Sequence, residues 1–123
     1  MADVVNQIAT YLTAAVPSAQ SWRTTLPPGY SNTSAALVVN VQAARSHQTN
    51  ATRGVEFTVR VYGGSNKIAT ATELTETVVN AINAQSSSVY GFIRFGDISW
   101  QELPPEPVTG WPSCLIRGRV RTT

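Results

Sequence analysis

Residues Gly54 to Ala84 read GVEFTVRVYGGSNKIATATELTETVVNAINA, and across their glycine pair the hydrophobic period changes from two to about three and a half. From Val55 to Tyr62 the residues alternate. Val55, Phe57, Val59 and Val61 fall on one face, and Glu56, Thr58, Arg60 and Tyr62 on the other, which describes a half-buried β-strand. Gly63 and Gly64 supply the backbone freedom of a sharp turn, and Ser65 or Asn66 is placed to cap a following helix. Ile68, Ala71, Leu74, Val78 and Ile82 then recur at helical spacing, so the helix is amphipathic and folds back onto the strand's apolar face.

Working outward, Asp3 is an N-cap candidate for a first helix with Val4, Ile8, Leu12 and Ala15 on one stripe, ended by Pro17. Residues 17 to 36, rich in Pro, Ser, Thr and Asn, read as a long loop holding Trp22 and Tyr30, and a loop of that length suggests contacts. A strand runs from Leu37 to about Ala44. The polar stretch Arg45 to Arg53 follows, giving an antiparallel hairpin with a long tip that is either mobile or ordered by a partner. His47 and Asn50 lie in that tip. Beyond the second helix and a polar turn at Gln85 to Ser88, Phe92 to Gln101 reads as a strand whose phase slips at Gly96-Asp97, as a bulge requires. The loop Leu103 to Pro112, LPPEPVTGWP, cannot sit inside a sheet because proline lacks the ladder donor. In the last strand, Ser113 to Thr122, Cys114, Ile116, Gly118 and Val120 share one face, and Leu115, Arg117, Arg119 and Arg121 the other.

The predicted fold is therefore α+β in two layers. Elements in the order α-β-β-α-β-β give an antiparallel four-stranded sheet with two helices on one face. At 123 residues the chain is one domain, able to bury roughly two-thirds of its unfolded surface. A single cysteine excludes an internal disulfide. Neither a signal-peptide pattern nor a membrane-length apolar run is present, so the sequence predicts a chain made and kept in a cytoplasm. Net charge is only +2, yet every basic residue except Lys67 is arginine, the residue suited to bidentate pairing at contacts between chains.

Catalytic patterns are weak. Gly63-Gly64-Ser65-Asn66-Lys67 follows a strand but lacks the spacing of a phosphate-binding loop. Glu73 and Glu76 share a helix face pointing away from the apolar stripe, and a solvated face accounts for them. His47 is the only histidine, and Cys114 alternates in phase with Ile116 and Val120 as a buried structural residue does. The expectation is a non-enzyme with no metal and no cofactor. Arg60, Arg117, Arg119 and Arg121, beside Tyr62 and Trp100, open a second possibility, a strand face that tracks phosphates and stacks bases. Against it, no helix carries a basic stripe.

The order of helix, long loop and hairpin, then FTVRVYG (Phe57 to Gly63) leading into the Ala/Thr-rich helix Ala69 to Ala84, resembles the tail terminator (tail completion) proteins of long-tailed bacteriophages. So does Glu106-Pro107-Val108-Thr109-Gly110, similar to that family's proline, acidic and glycine turn before the last strand. The resemblance covers nearly the whole chain. It implies a virion protein of the neck, assembled in a host bacterial cytoplasm, whose hexameric ring caps the tail tube and ends its elongation. Its partners would be copies of itself, the tail tube protein and a head-tail connector or stopper, with genomic DNA as passing cargo in the lumen and no membrane. A head-side connector or stopper subunit is the alternative within the same neck. The residues expected at subunit or partner interfaces are Arg60, Arg117, Arg119, Arg121, His47 and Asn50.

Overall fold

A computed structural model describes residues 4–31, 33–49, 52–84 and 92–122. Along them run α1 (Val4–Ala15), β1 (Gln20–Arg23), β2 (Ala36–Thr49), β3 (Thr52–Tyr62), α2 (Ile68–Asn83), β4 (Phe92–Leu103) and β5 (Ser113–Thr122). The α+β class and the two helices hold, but the sheet has five strands in the order β1-β2-β3-β5-β4 and is mixed. The added strand is β1. It pairs parallel to β2, with Trp22 beside Val38, inside the stretch expected to be loop. Four residues are too few to show a period. Because parallel neighbours need a crossover of about a dozen residues, the length of the segment 24–35 between them has a structural cause.

The β2–β3 hairpin also departs from expectation. Its strands continue to Thr49 and from Thr52, which pair with each other, so Ser46 to Thr49, Thr52 and Arg53 belong to the ladder and not to a loop. Backbone pairing needs no apolar alternation, and this polar stretch has none. The register jumps from Val41–Phe57 to Ser46–Val55, so β2 carries extra residues in an irregular bulge. In β4 the slip predicted at Gly96-Asp97 is present between the Gly96–Arg119 and Ser99–Arg117 pairs. The expected cap at Asp3 and the turn at Gln85 to Ser88 lie outside the described residues.

Apolar side chains form rows across the sheet. Leu37, Val61 and Cys114 stand side by side, as do Val39, Val59 and Ile116, and Phe57 lies opposite Gly118. Ile8, Leu12 and Val16 from α1 and its exit, and Ala71, Val78 and Ile82 from α2, close over these rows in one cluster. Both helices thus cover the same face. The buried stripe of α2 is Ala71, Thr75, Val78 and Ile82; Ile68, expected on it, is 39% exposed, and Leu74 is only partly buried. Thr75 tolerates burial because its hydroxyl donates to the Ala71 carbonyl at 2.7 Å. The Tyr11 hydroxyl donates to the Ala81 carbonyl at 2.7 Å, tying α1 to one of the carbonyls that the end of α2 leaves unpaired.

The glycine pair is more constrained than turn chemistry alone requires. Gly64 has φ of +79°, and a Cβ there would meet the backbone of Ser34 and Ala35 at 2.7 Å. One at Gly63 would meet the Ala71 nitrogen at 2.7 Å, so the strand end, α2 and the segment leading into β2 touch through backbone. The helix begins after Lys67 with no side-chain cap. Ser65, expected as a cap, instead accepts a hydrogen bond from the Lys67 N–H at 3.3 Å within the turn.

Gly64→Ala combines left-handed strain with backbone overlap, whereas Gly29→Ala, at φ +81° with nothing nearby, meets only the strain. Urea unfolding should show the Gly29 variant losing ~1–2 kcal/mol and the Gly64 variant clearly more.

Candidate interaction surface

Alternation along β3 and β5 puts a second set of rows on the face away from the helices. Val38, Arg60, Leu115 and Gln101 form one row, Asn40, Thr58, Arg117 and Ser99 the next, and Glu56 and Arg119 the third. The two ends of this face differ.

At the end where β3 finishes and β5 begins, the face is sealed. The loop 104–112 folds over it as a tight turn, with Gly110 N–H donating to the Glu106 carbonyl at 2.7 Å and Glu106 N–H donating to Trp111 O at 3.3 Å. The prolines of LPPEPVTGWP remove donors and fix φ, which suits a turn that leaves the sheet. Trp111 then packs edge-on against Tyr30 and Tyr62, with ring centres 5.5 and 6.2 Å apart, and Tyr30 hydrogen-bonds back to the Ser34 carbonyl at 2.6 Å. Tyr62, expected on an open polar face, is 4% exposed.

Glu106 organises this end. One carboxylate oxygen accepts from the Tyr62 hydroxyl at 2.5 Å and pairs with Arg60 at 3.3 Å, and the other accepts from Thr109 at 2.9 Å. Arg60 also donates to Ser113 Oγ at 3.3 Å and lies over the Tyr62 ring at 5.7 Å. Burial, the Glu106 hydrogen bond and the Glu106 charge hold the Tyr62 hydroxyl well above the ordinary tyrosine range, the Arg60 charge only partly offsetting them. Burial raises Tyr30 as well. Arg60, expected at a subunit interface, is thus committed inside its own chain. Neither Glu106 nor Trp111 was among the expected site residues. A lone acidic residue among prolines, in a chain with an arginine on the facing strand, was the available signal.

Towards the other end the described side chains Asn40, Ser99, Arg117 and Arg119 are exposed. Arg119 and Glu56, directly opposite in register, pair at 3.3 Å, with side chains 47% and 45% exposed. Arg117, between Thr58 and Ser99, is exposed, and no carboxylate pairs with it among the described residues. The structure therefore brings Arg117 and Arg119 together on this face. For Arg121 and His47 only the backbone is described, Arg121 between Gly54 and Arg94 and His47 opposite Gly54; Asn50 lies outside the described residues. Cys114 is buried, as its phase predicts.

Among the described residues no three His, Cys, Asp or Glu side chains gather to hold a metal ion, and no helix is long and apolar enough to cross a membrane. An open cavity of about 420 Å³ beside the end of α1, reached by Thr13, Gln20 and Ser34, has no ionisable side chain in its lining.

No family model matches the chain, and no curated protein matches its sequence. Its fold is similar to that of a chain in the virion of a native gene transfer agent particle, with a TM-score of 0.50 and 18% identity, over 98% of this chain and 86% of that one.

Glu106→Ala leaves Tyr62 and Arg60 without their shared acceptor and should cost ~1–3 kcal/mol in urea unfolding, with Trp111 fluorescence shifted to the red by added water. A pH dependence follows from Tyr62. The folded chain holds its proton more tightly than the unfolded chain, whose tyrosine titrates near 10.0. Stability from this source is complete below that value and falls as the pH rises above it. Tyr62→Phe should reduce the slope of stability against pH above ~10, checked by denaturant midpoints across the alkaline range.

Proposed function

We propose that this chain is a structural virion protein that forms a six-membered ring on the end of a phage tail tube, stops the tube's elongation and presents a surface to the head-side connector. The observation that carries the proposal is the similarity of fold, across 98% of this chain, to a chain of a virion particle. The sequence resemblance to tail terminators narrows it to the tube end. The more exposed part of the sheet face is consistent with a subunit whose binding partners are proteins: among the described residues it is polar and carries two exposed arginines.

The chain does no chemistry in this proposal. Its sheet face and loops serve as contact surfaces, and DNA passes through the ring without being read. A head-side connector or stopper subunit would use the same kind of surface and differs in what it binds.

Mass measurement and electron microscopy of the purified chain, alone and with tail tubes, test the proposal. The expected outcome is a sixfold ring at the tube end, with tubes of unregulated length when the chain is withheld. A fivefold or twelvefold ring, or a chain that ignores tubes and binds only the head-side connector, contradicts it.

A further inference from the structure

The two layers of this subunit present opposite charge on opposite sides. On the helix side, α2 carries Glu73 and Glu76, both exposed, and no Lys or Arg anywhere in its length. On the sheet side, β5 carries Arg117 and Arg119, also exposed, with Glu56 paired to Arg119. Among the described residues, α2 itself carries only negative charge, and Arg117, Arg119 and Glu56 together carry a net positive one.

The spacings also agree. Residues three apart on a helix have Cβ atoms about 5–6 Å apart. Residues two apart on a strand project from the same side about 6–7 Å apart. Glu73 and Glu76 therefore form a pair of acids that can face the pair Arg117 and Arg119 side by side. Within one chain they cannot meet, because the apolar core lies between the layer that holds one pair and the layer that holds the other.

We infer that a second copy of this chain supplies the partner of the arginine face: Glu73 and Glu76 on α2 of one subunit dock against Arg117 and Arg119 of the next. The contact is front to back, so each subunit uses one face to give and the other to receive. Repeated with a rotation that divides a full turn and no rise along the axis, such a heterologous contact closes into a ring. This inference rests on the ring proposed above and supplies its interface. The Arg119–Glu56 pair does not stand in the way, since a half-exposed guanidinium can bridge two carboxylates. The sealed end of the sheet face, with Arg60 and Glu106 already joined, takes no part.

Sedimentation velocity in low salt over a concentration series tests the contact, because charge pairs of this kind are screened by added salt. The wild-type chain should self-associate. The double variants Glu73→Arg/Glu76→Arg and Arg117→Glu/Arg119→Glu should each weaken association by at least about tenfold. An equimolar mixture of the two should restore it, since each variant then offers the charge the other lacks. Circular dichroism confirms that each variant is folded, and Arg117→Glu alone repeats the test without disturbing Glu56. Association unchanged in either double variant, or a mixture that stays dissociated, overturns the inference. Rings that persist in both variants leave the ring proposal standing and move its interface elsewhere. A chain that never associates, alone or with tail tubes, removes both. Short duplex DNA bound more tightly by Glu73→Arg/Glu76→Arg, with no protein association in any sample, overturns the inference in favour of a nucleic-acid surface.

Discussion

The structure depends on the register of β3, which runs through the middle of the sheet with Val59 between Val39 and Ile116. A strand's side chains alternate with a period of two, so a slip by one residue would turn Phe57, Val59 and Val61 out and bring Glu56, Thr58 and Arg60 under the helices. Three buried polar or charged residues without partners, at several kcal/mol for each ion, would offset a domain's whole stability margin of ~5–15 kcal/mol. With that register fixed, the helices have only one face on which to pack, and the other face is polar. The backbone contacts at Gly63 and Gly64 hold the end of β3 against α2 and the segment entering β2, so the helix layer is set relative to the sheet at the same place.

Two ion pairs on the outer face do different work. Glu106 accepts hydrogen bonds from Tyr62 on β3 and Thr109 in its own loop and pairs with Arg60, in a setting where Tyr62 is almost wholly out of water. Charged hydrogen bonds of this kind contribute ~1.5–3 kcal/mol each, and their geometry fixes where the loop lies. Glu56 and Arg119 are both about half exposed, and exposed pairs contribute ~0–1 kcal/mol. The first pair is therefore internal architecture. The second is weak enough to be shared with another molecule, and Arg117 beside it is exposed to whatever approaches.

Much of this was legible in the sequence, for reasons that particular residues make clear. The alternation of Phe57, Val59 and Val61, and of Cys114, Ile116 and Val120, reports burial directly because a face that packs must be apolar at every second position. The phase slip at Gly96-Asp97 marked a real bulge for the same reason. Where apolar period is absent, the sequence is mute. β1 is four residues long, and the outer half of the β2–β3 hairpin is polar, so both depend on backbone pairing that leaves no pattern. Thr75 in the buried stripe of α2 shows a different limit: its hydroxyl is satisfied by the helix's own carbonyl, which lets a polar letter occupy a core position. On the candidate surface, the row of arginines on β5 was visible from spacing, but the withdrawal of Arg60 to Glu106 depends on how a distant loop folds back, and no local pattern encodes that.

In the proposed ring, the chain meets its neighbours through the half of its outer face where Arg117 and Arg119 are exposed. Electron cryomicroscopy of the chain assembled on the end of a tail tube tests that most directly. The expected result is a ring in which Arg117 and Arg119 lie within ion-pair distance of carboxylates on the adjacent subunit, while the turn around Glu106 keeps its intramolecular bonds. A ring in which both arginines face an open lumen or bulk water, with subunits joined through other surfaces, would contradict it.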